Sequence, residues 1–302
     1  MAHPSGNDIQ FFSDAGMTTR LNWEIESYSP FSGELVAWVK VPTLSHSANT
    51  VIYMGYGDLS NTSFEGGSLG SAWDSNYALV QHYNEVSSDL SLADSTANST
   101  FFTNGGLSLT DGKIGKGYAN DGTQYATFDY APIFDLSSGD WTMSAWFNST
   151  SFADYQAIFS KDTYGSNFDW AMLISDSGTI SLWTAGTSQT HDFIVPTMST
   201  NTWYYFTLTG TSDGTFTLYI NGVNVGATAS GAMTMSNWDT ISGSIGALSY
   251  SHPNSFFNGS VDELRLSNGA ARSSDWTLSE YNNQSNPGNV GSPGFYTVGD
   301  EQ

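Results

Sequence analysis

The stretch "TFTLYINGVNVG", residues 215–226, decides the fold. Phe216, Leu218 and Ile220 alternate with Thr217 and Tyr219, the period that puts every second side chain on one face of a strand. Asn221-Gly222 then supplies the positive φ angles that a two-residue type I′ turn requires, and the extended pattern resumes at Val223. The segment is expected to be a β-hairpin with one face against an apolar layer.

Outward from this hairpin the same signals recur: "YALVQHY", "QYATFDY", "WTMSAWF", "QAIFSK", "DWAMLIS", "TISLWTA", "WYYFTLTG", "NVGAT", "DTISGSIG" and "VDELRLS". Many short strands with no long helical pattern predict an all-β fold, a β-sandwich of two packed antiparallel sheets. One short helix is expected at 273–283, capped by Ser or Asp and docked by Trp276. The Pro/Gly-rich tail ends in a possible strand, "FYTV". Upstream, "DIQFF" (8–12), "NWEIESY" (22–28), "ELVAWVKV" (34–41) and "TVIYMGYG" (50–57) read as four strands, followed by the turn-rich stretch 58–71. A break near residue 72 is expected, giving a smaller N-terminal β-domain, 1–72, and a larger domain, 73–302.

The chain has 302 residues, enough for real hydrophobic cores, with 15% aromatic and 12% charged residues. It carries 29 acidic against seven basic residues, a formal net charge of -22, which would be repelled by phosphate backbones and anionic membranes. Nucleic-acid binding and membrane insertion are therefore not expected, whereas cations are favoured small partners. The charge is equally the mark of a surface adapted to salt. Without cysteine there is neither a disulfide framework nor a thiolate site, and no apolar run approaches the roughly 20 residues that span a bilayer.

Strand "VDELRLS" places two carboxylates within an apolar pattern. Strict alternation puts Asp262 on one face with Leu264 and Leu266, and Glu263 beside Arg265 on the other as a solvated pair. An inward carboxylate needs a partner, either a cation such as calcium or the backbone N–H groups of a neighbouring loop.

"YALVQHYNEVSSDLSLADSTANST", "DGKIGKGYANDGTQYATF", "WTMSAWF", "FTLYINGVNVG" and "FFNGSVDELRLSNGAARSSDW", in this order across about 77–281, resemble the successive blocks of a laminin-G-like, concanavalin A-like jelly roll. The first segment, with "DIQFFSDAG", "ELVAWVKVP" and "TVIYMGYGD", is similar to an uncharacterised β-domain that precedes such modules in secreted and surface proteins of prokaryotes. That domain usually has more strand sequence upstream, so the chain is expected to start partway through it. The resemblance implies a non-catalytic, secreted or cell-surface module, often calcium-dependent, that binds an extracellular glycan or a cell-surface protein within a larger multidomain protein or assembly. Carried over residue by residue, it makes Asp94, Asn98 and Asp262 the implied calcium ligands.

A sugar-binding surface needs aromatic platforms flanked by polar groups. Sequence places candidates in loops: Tyr164 and Phe168 in "DTYGSNFDW", Trp183 and His191 in "LWTAGTSQTHDF", and Tyr250 and His252 in "SYSHPNSFF". The five histidines show no close metal-ligand spacing, and no nucleophile elbow or phosphate loop occurs. Jelly-roll hydrolases mount paired carboxylates on alternate positions of one strand, and Glu24 and Glu26 in "WEIES" have that spacing but lack a third acid. Four Asn-x-Ser/Thr sequons, from Asn61, Asn98, Asn148 and Asn258, carry no weight in a chain this rich in those residues. The reading favours a calcium-dependent carbohydrate-binding module, then a structural or protein-binding subunit of a filament, adhesin or spike, and last a polysaccharide-degrading enzyme.

Overall fold

The computed structural model describes residues 3–45, 47–86, 88–137, 139–152, 155–162, 168–184, 189–229, 242–248, 255–289 and 292–299. The chain forms two compact units, Met1–Ser75 with Asp94–Ser99, and Asn76–Ala93 with Thr100–Gln302. In the smaller unit, strand Gln10–Phe12 pairs with Tyr53–Gly55 and strand Asn22–Tyr28 with Leu35–Lys40, all antiparallel. Ile9, Phe11, Leu21 and Trp23 form its core. The return of Asp94–Ser99 to this unit departs from a single break near residue 72, and Gly70 explains it. At φ +80°, an added Cβ on Gly70 would stand 2.3 Å from the Ala97 backbone nitrogen, so only glycine lets the turn and the returning segment pack together.

The larger unit is a jelly-roll sandwich of antiparallel sheets. One sheet runs in the order Val223–Ala229, Thr215–Ile220, Trp203–Gly210, Trp141–Ser149, Asn258–Asn268, Lys116–Asp121, Ser108–Asp111, with Tyr77–Gln81 also paired to Asn258–Asn268. The other runs Gln189–Ile194, Thr179–Thr184, Phe168–Asp176, Gln156–Asp162, Gly243–Ile245, Ala126–Phe128, Phe102–Asn104. Their inner faces contribute to one apolar core that includes Trp141, Phe147, Phe159, Trp170, Leu182, Phe206, Leu264 and Leu266. Burying each such side chain contributes about 1.5–3 kcal/mol relative to exposure. The hairpin turn forms as expected, with φ of 51° at Asn221 and 75° at Gly222, and the Asn221 Oδ1 accepts the Tyr205 backbone N–H at 2.9 Å.

The helix spans Ser274–Ser285, capped by the Ser273 Oγ, which accepts the Trp276 N–H at 3.2 Å. It docks through different side chains from the one expected. Trp276 is 43% exposed under the Arg272 guanidinium, while Gln284 accepts the Trp146 indole N–H at 2.7 Å and Tyr281 lies against Tyr205 and Trp146. The helix thus covers the outer face of the first sheet. Residues 295–298 are not a strand; the tail ladder pairs Gly288–Asn289 with Ser292–Pro293.

Candidate functional site

The second sheet has a different outer face. In strand Thr179–Thr184, Ile180 and Leu182 point into the core, so Ser181 and Trp183 point out. Trp183 packs on a small outer cluster of Ala157, Ala171, Leu173 and Leu248, and its ring centroid lies 4.8 Å from that of Tyr155. Tyr155 is 42% exposed and held at φ 45° just before strand Gln156–Asp162. Beside this pair, Ser181 Oγ donates to Asp192 Oδ1 at 2.6 Å and contacts Ser175 Oγ. The arrangement places an exposed carboxylate, Asp192, beside the aromatic pair and orients it through the buried Ser181 hydroxyl.

The structure separates two side chains expected on one ligand surface. His191 pairs with Leu182, and its ring faces the interior, 4.7 Å from Phe216 and 3.2 Å from Thr184 Oγ1, with burial holding its pKa below the usual histidine value. Trp183 therefore lies on the opposite face of the sheet from His191. Phe168 begins a strand, but its side chain lies outside the described set, as do Tyr164, Tyr250 and His252 altogether. Tyr155 was missed because nothing in "FADYQAIF" sets it apart from a core aromatic.

The terminal strand departs from strict alternation, and this corrects both carboxylate assignments. Ser144 pairs with Arg265 and Trp146 with Asp262, so Ala145 alone faces both Glu263 and Leu264. Glu263 is the extra residue of this β-bulge, with φ 53°. The bulge shifts the phase, so Val261, Leu264 and Leu266 point into the core and Asp262 does not share their face. Asp262 is still fully buried. Its Oδ2 accepts the Ile114 N–H at 2.8 Å and its Oδ1 the Glu263 N–H at 2.8 Å. An added Cβ on Gly112 would lie 2.6 Å from Asp262 Oδ2, so "DGKIGKG" closes over the carboxylate only because glycine stands there.

Glu263, expected to face water, is also fully buried. Its Oε1 lies 2.7 Å from His82 Nδ1, its Oε2 contacts the Arg265 guanidinium, and Arg265 Nη1 reaches Glu280 Oε1 on the helix at 2.6 Å. Burial would raise the Glu263 carboxyl, but the charges of His82 and Arg265 outweigh it and hold its pKa below the usual glutamate value. The pair read as solvated is the centre of a buried network. Period-2 reasoning missed it because a bulge has no signature in hydrophobic pattern alone.

Asp94 and Asn98 belong to the smaller unit, whereas Asp262 belongs to the larger. Asp94 accepts the Thr96 N–H and Oγ1–H, both at 2.9 Å, and Asn98 Nδ2 donates to Thr96 Oγ1 at 3.1 Å. Both Asp262 oxygens accept backbone N–H groups, as a loop clamp requires. Glu24 accepts the Trp73 indole at 2.8 Å and the Ser95 hydroxyl, and Glu26 accepts the Trp38 indole at 2.8 Å. A second ionic cluster also escaped the sequence reading. Lys161, 0% exposed, contacts Asp135 and lies 2.7 Å from Asp169. Its signal is a lysine closing the apolar run "QAIFSK" in a chain with only seven basic residues.

Among the described residues, no helix is long and apolar enough to cross a membrane. Residues 5–96 match a domain of unknown function, DUF2341, and residues 120–275 match the concanavalin A-like lectin/glucanases superfamily. No curated protein matches the chain. Several solved structures share the fold. Domain 4 of AbnA, an extracellular GH43 arabinanase from Geobacillus stearothermophilus, solved with arabinotriose, is 22% identical with a TM-score of 0.52 over 67% of this chain and 98% of its own. The binding domain of botulinum neurotoxin DC, solved with rat synaptotagmin II, is 12% identical with a TM-score of 0.53 over 69% of this chain and 52% of its own. A botulinum neurotoxin type C structure, described as entering cells through two ganglioside molecules, is 11% identical with a TM-score of 0.55 over 69% and 51%. The chain thus spans nearly all of the arabinanase domain and about half of the toxin chains. With the sandwich observed and just over half of its residues matched by one family, the chain belongs to the concanavalin A-like lectin/glucanases superfamily.

Proposed function

We propose that the chain is a non-catalytic carbohydrate-binding module whose ligand lies on the outer face of the second sheet, against Trp183 and Tyr155. The observation that carries this reading is the Trp183–Tyr155 pair, with Tyr155 42% exposed, beside the exposed Asp192 carboxylate. Sugar rings stack their C–H faces on aromatic planes, and sugar hydroxyls donate to a carboxylate. The arabinanase domain solved with arabinotriose lends support at the level of fold.

Charge narrows the ligand class. All seven Lys and Arg residues lie within the described set, and each is engaged by a neighbour. Arg20 meets Glu65, Lys40 the Trp73 carbonyl, Lys113 the Trp146 ring and Lys116 Asp111. Lys161 and Arg265 are buried in ionic clusters, and Arg272 lies over Tyr77 and Trp276. A module of net charge -22 with its cations so occupied favours an uncharged glycan over an anionic one. In this reading the module is displayed outside the cell as part of a larger protein. A calcium requirement belongs to the same proposal, and a melt of chelator-stripped protein with and without calcium tests it separately.

A panel of neutral polysaccharides (arabinan, β-glucan, xylan) and anionic ones (polygalacturonate, dextran sulfate) tests the binding reading by affinity electrophoresis. Retention by a neutral polysaccharide is expected, lost in Trp183→Ala and Tyr155→Ala while the melting curve stays cooperative. Unchanged retention in both variants removes the site, and no retention by any polysaccharide removes the function. A protein-binding role is the second reading, favoured by exposed apolar side chains on the smaller unit, including Phe31, Leu44, Leu59 and Leu69.

A further inference from the structure

The Lys161 cluster is a poor salt bridge and a good reaction site. One buried ammonium meets two carboxylates, Asp135 and Asp169, whose side chains are 14% and 2% exposed. Taking such charges out of water is costly, and two acids around one base leave a net negative charge in the interior. Aromatic rings border the cluster. The Tyr130 ring lies 5.0 Å from the Lys161 Nζ, and Trp170 stands opposite Lys161 in the neighbouring strand.

Every part is held in place. Asp135 follows the short 3-10 turn Pro132–Phe134, whose Phe134 carbonyl accepts the Trp170 indole N–H at 3.2 Å. Asn268 Nδ2 donates to the Ile133 and Asp135 carbonyls at 2.9 and 3.0 Å, which pins the loop. The Tyr130 hydroxyl donates to Asp135 Oδ2 at 3.1 Å, polarising that carboxyl group. Asp169 reaches the same nitrogen from the adjoining strand at 2.7 Å. The Lys161 nitrogen thus meets an electrophile, Asp135, and a proton carrier, Asp169, while Tyr130 donates to the electrophile's oxygen, at a largely buried site.

We propose that Lys161 and Asp135 condense into an intramolecular isopeptide bond, with Asp169 as the catalytic acid–base. Asp169 takes a proton from the ammonium, and the freed Nζ lone pair attacks the Asp135 Cγ. The Nζ–Cγ bond forms and one Cγ–O bond breaks. Two of the three ammonium protons, relayed by Asp169, leave with that oxygen as water, and Asp169 ends in its starting state. No oxidant, reductant or activated group is consumed. The product replaces a buried ion pair by a neutral amide and ties the Pro132–Phe134 turn covalently to strand Gln156–Asp162.

Intact-mass spectrometry of the full chain under denaturing conditions tests this directly. The expected mass is that of the sequence less one water, and digestion should yield a branched peptide joining Lys161 to Asp135. Lys161→Ala and Asp135→Ala should restore the full mass, Asp135→Asn should lose ammonia instead, and Asp169→Asn should leave the bond unformed. A wild-type mass equal to that of the sequence overturns the proposal without need of any variant. So does a water loss without the branched peptide, since dehydration at an Asp-Gly pair would account for it. A branched peptide that persists in Asp169→Asn overturns the catalytic assignment.

Discussion

The two sheets of the sandwich share an alternating pattern and an apolar core, yet their outer faces are built differently. On the first sheet, Trp146, Tyr205 and Arg265 are covered by the helix Ser274–Ser285, and the face is locked by the Glu263–Arg265–Glu280 chain. On the second, Trp183 packs on the buried Ala157–Ala171–Leu173–Leu248 cluster and against Tyr155, which is 42% exposed. An outward aromatic on a strand therefore has no fixed meaning. It is sealed into hydrogen bonds beneath the helix on the first sheet, and on the second it borders an exposed tyrosine.

The largest effect that would break this contrast is expected from Glu263→Ala. Removing that carboxylate takes from buried Arg265 and His82 the acceptor they share, a loss of about 3–5 kcal/mol measurable by denaturant unfolding. Stability within one kcal/mol of wild type would mean the network does not lock the face. The same group sets an acid limit. Its pKa is lowered in the folded state, so it binds a proton more readily when unfolded, and its contribution is present above the usual glutamate range and lost as the pH falls below it. Glu263→Gln should flatten the fall of the melting temperature in that range, and an unchanged slope would assign the acid transition to other carboxylates.

Asp262→Ala comes next, at about 1–3 kcal/mol, because the Ile114 and Glu263 N–H groups lose their acceptor. If the clamp is its whole role, the loss is the same with and without calcium; a loss seen only in calcium would restore a cation site. Removing the helix cap with Ser273→Ala should cost about 1 kcal/mol and raise amide exchange in the first turn. Glycan retention should not change. Reduced retention would show that the sealed face takes part in binding.

Much of the fold was legible in the sequence because it rests on local rules. The Asn221-Gly222 turn, the alternation in "TFTLYI" and the Ser273 cap each act within a few residues, and all three appear where expected. The site was less legible. Trp183 could be named as a platform, but His191, eight residues on, is sent to the other face by its pairing with Leu182. Glu263 was misplaced by a single extra residue, since one bulge inverts the assignment of every position on one side of it.

By itself, then, the sequence determined the strands, the turns and the acidic, cysteine-free character of the chain, because backbone propensity, side-chain period and charge are properties of neighbours. Tertiary structure alone decided which carboxylates are buried, that 94–99 rejoins the first unit, and that Lys161 meets Asp135 and Asp169. Those outcomes depend on groups brought together from distant parts of the chain. Their energies come from desolvation and from pairing across strands, which no local window of sequence contains.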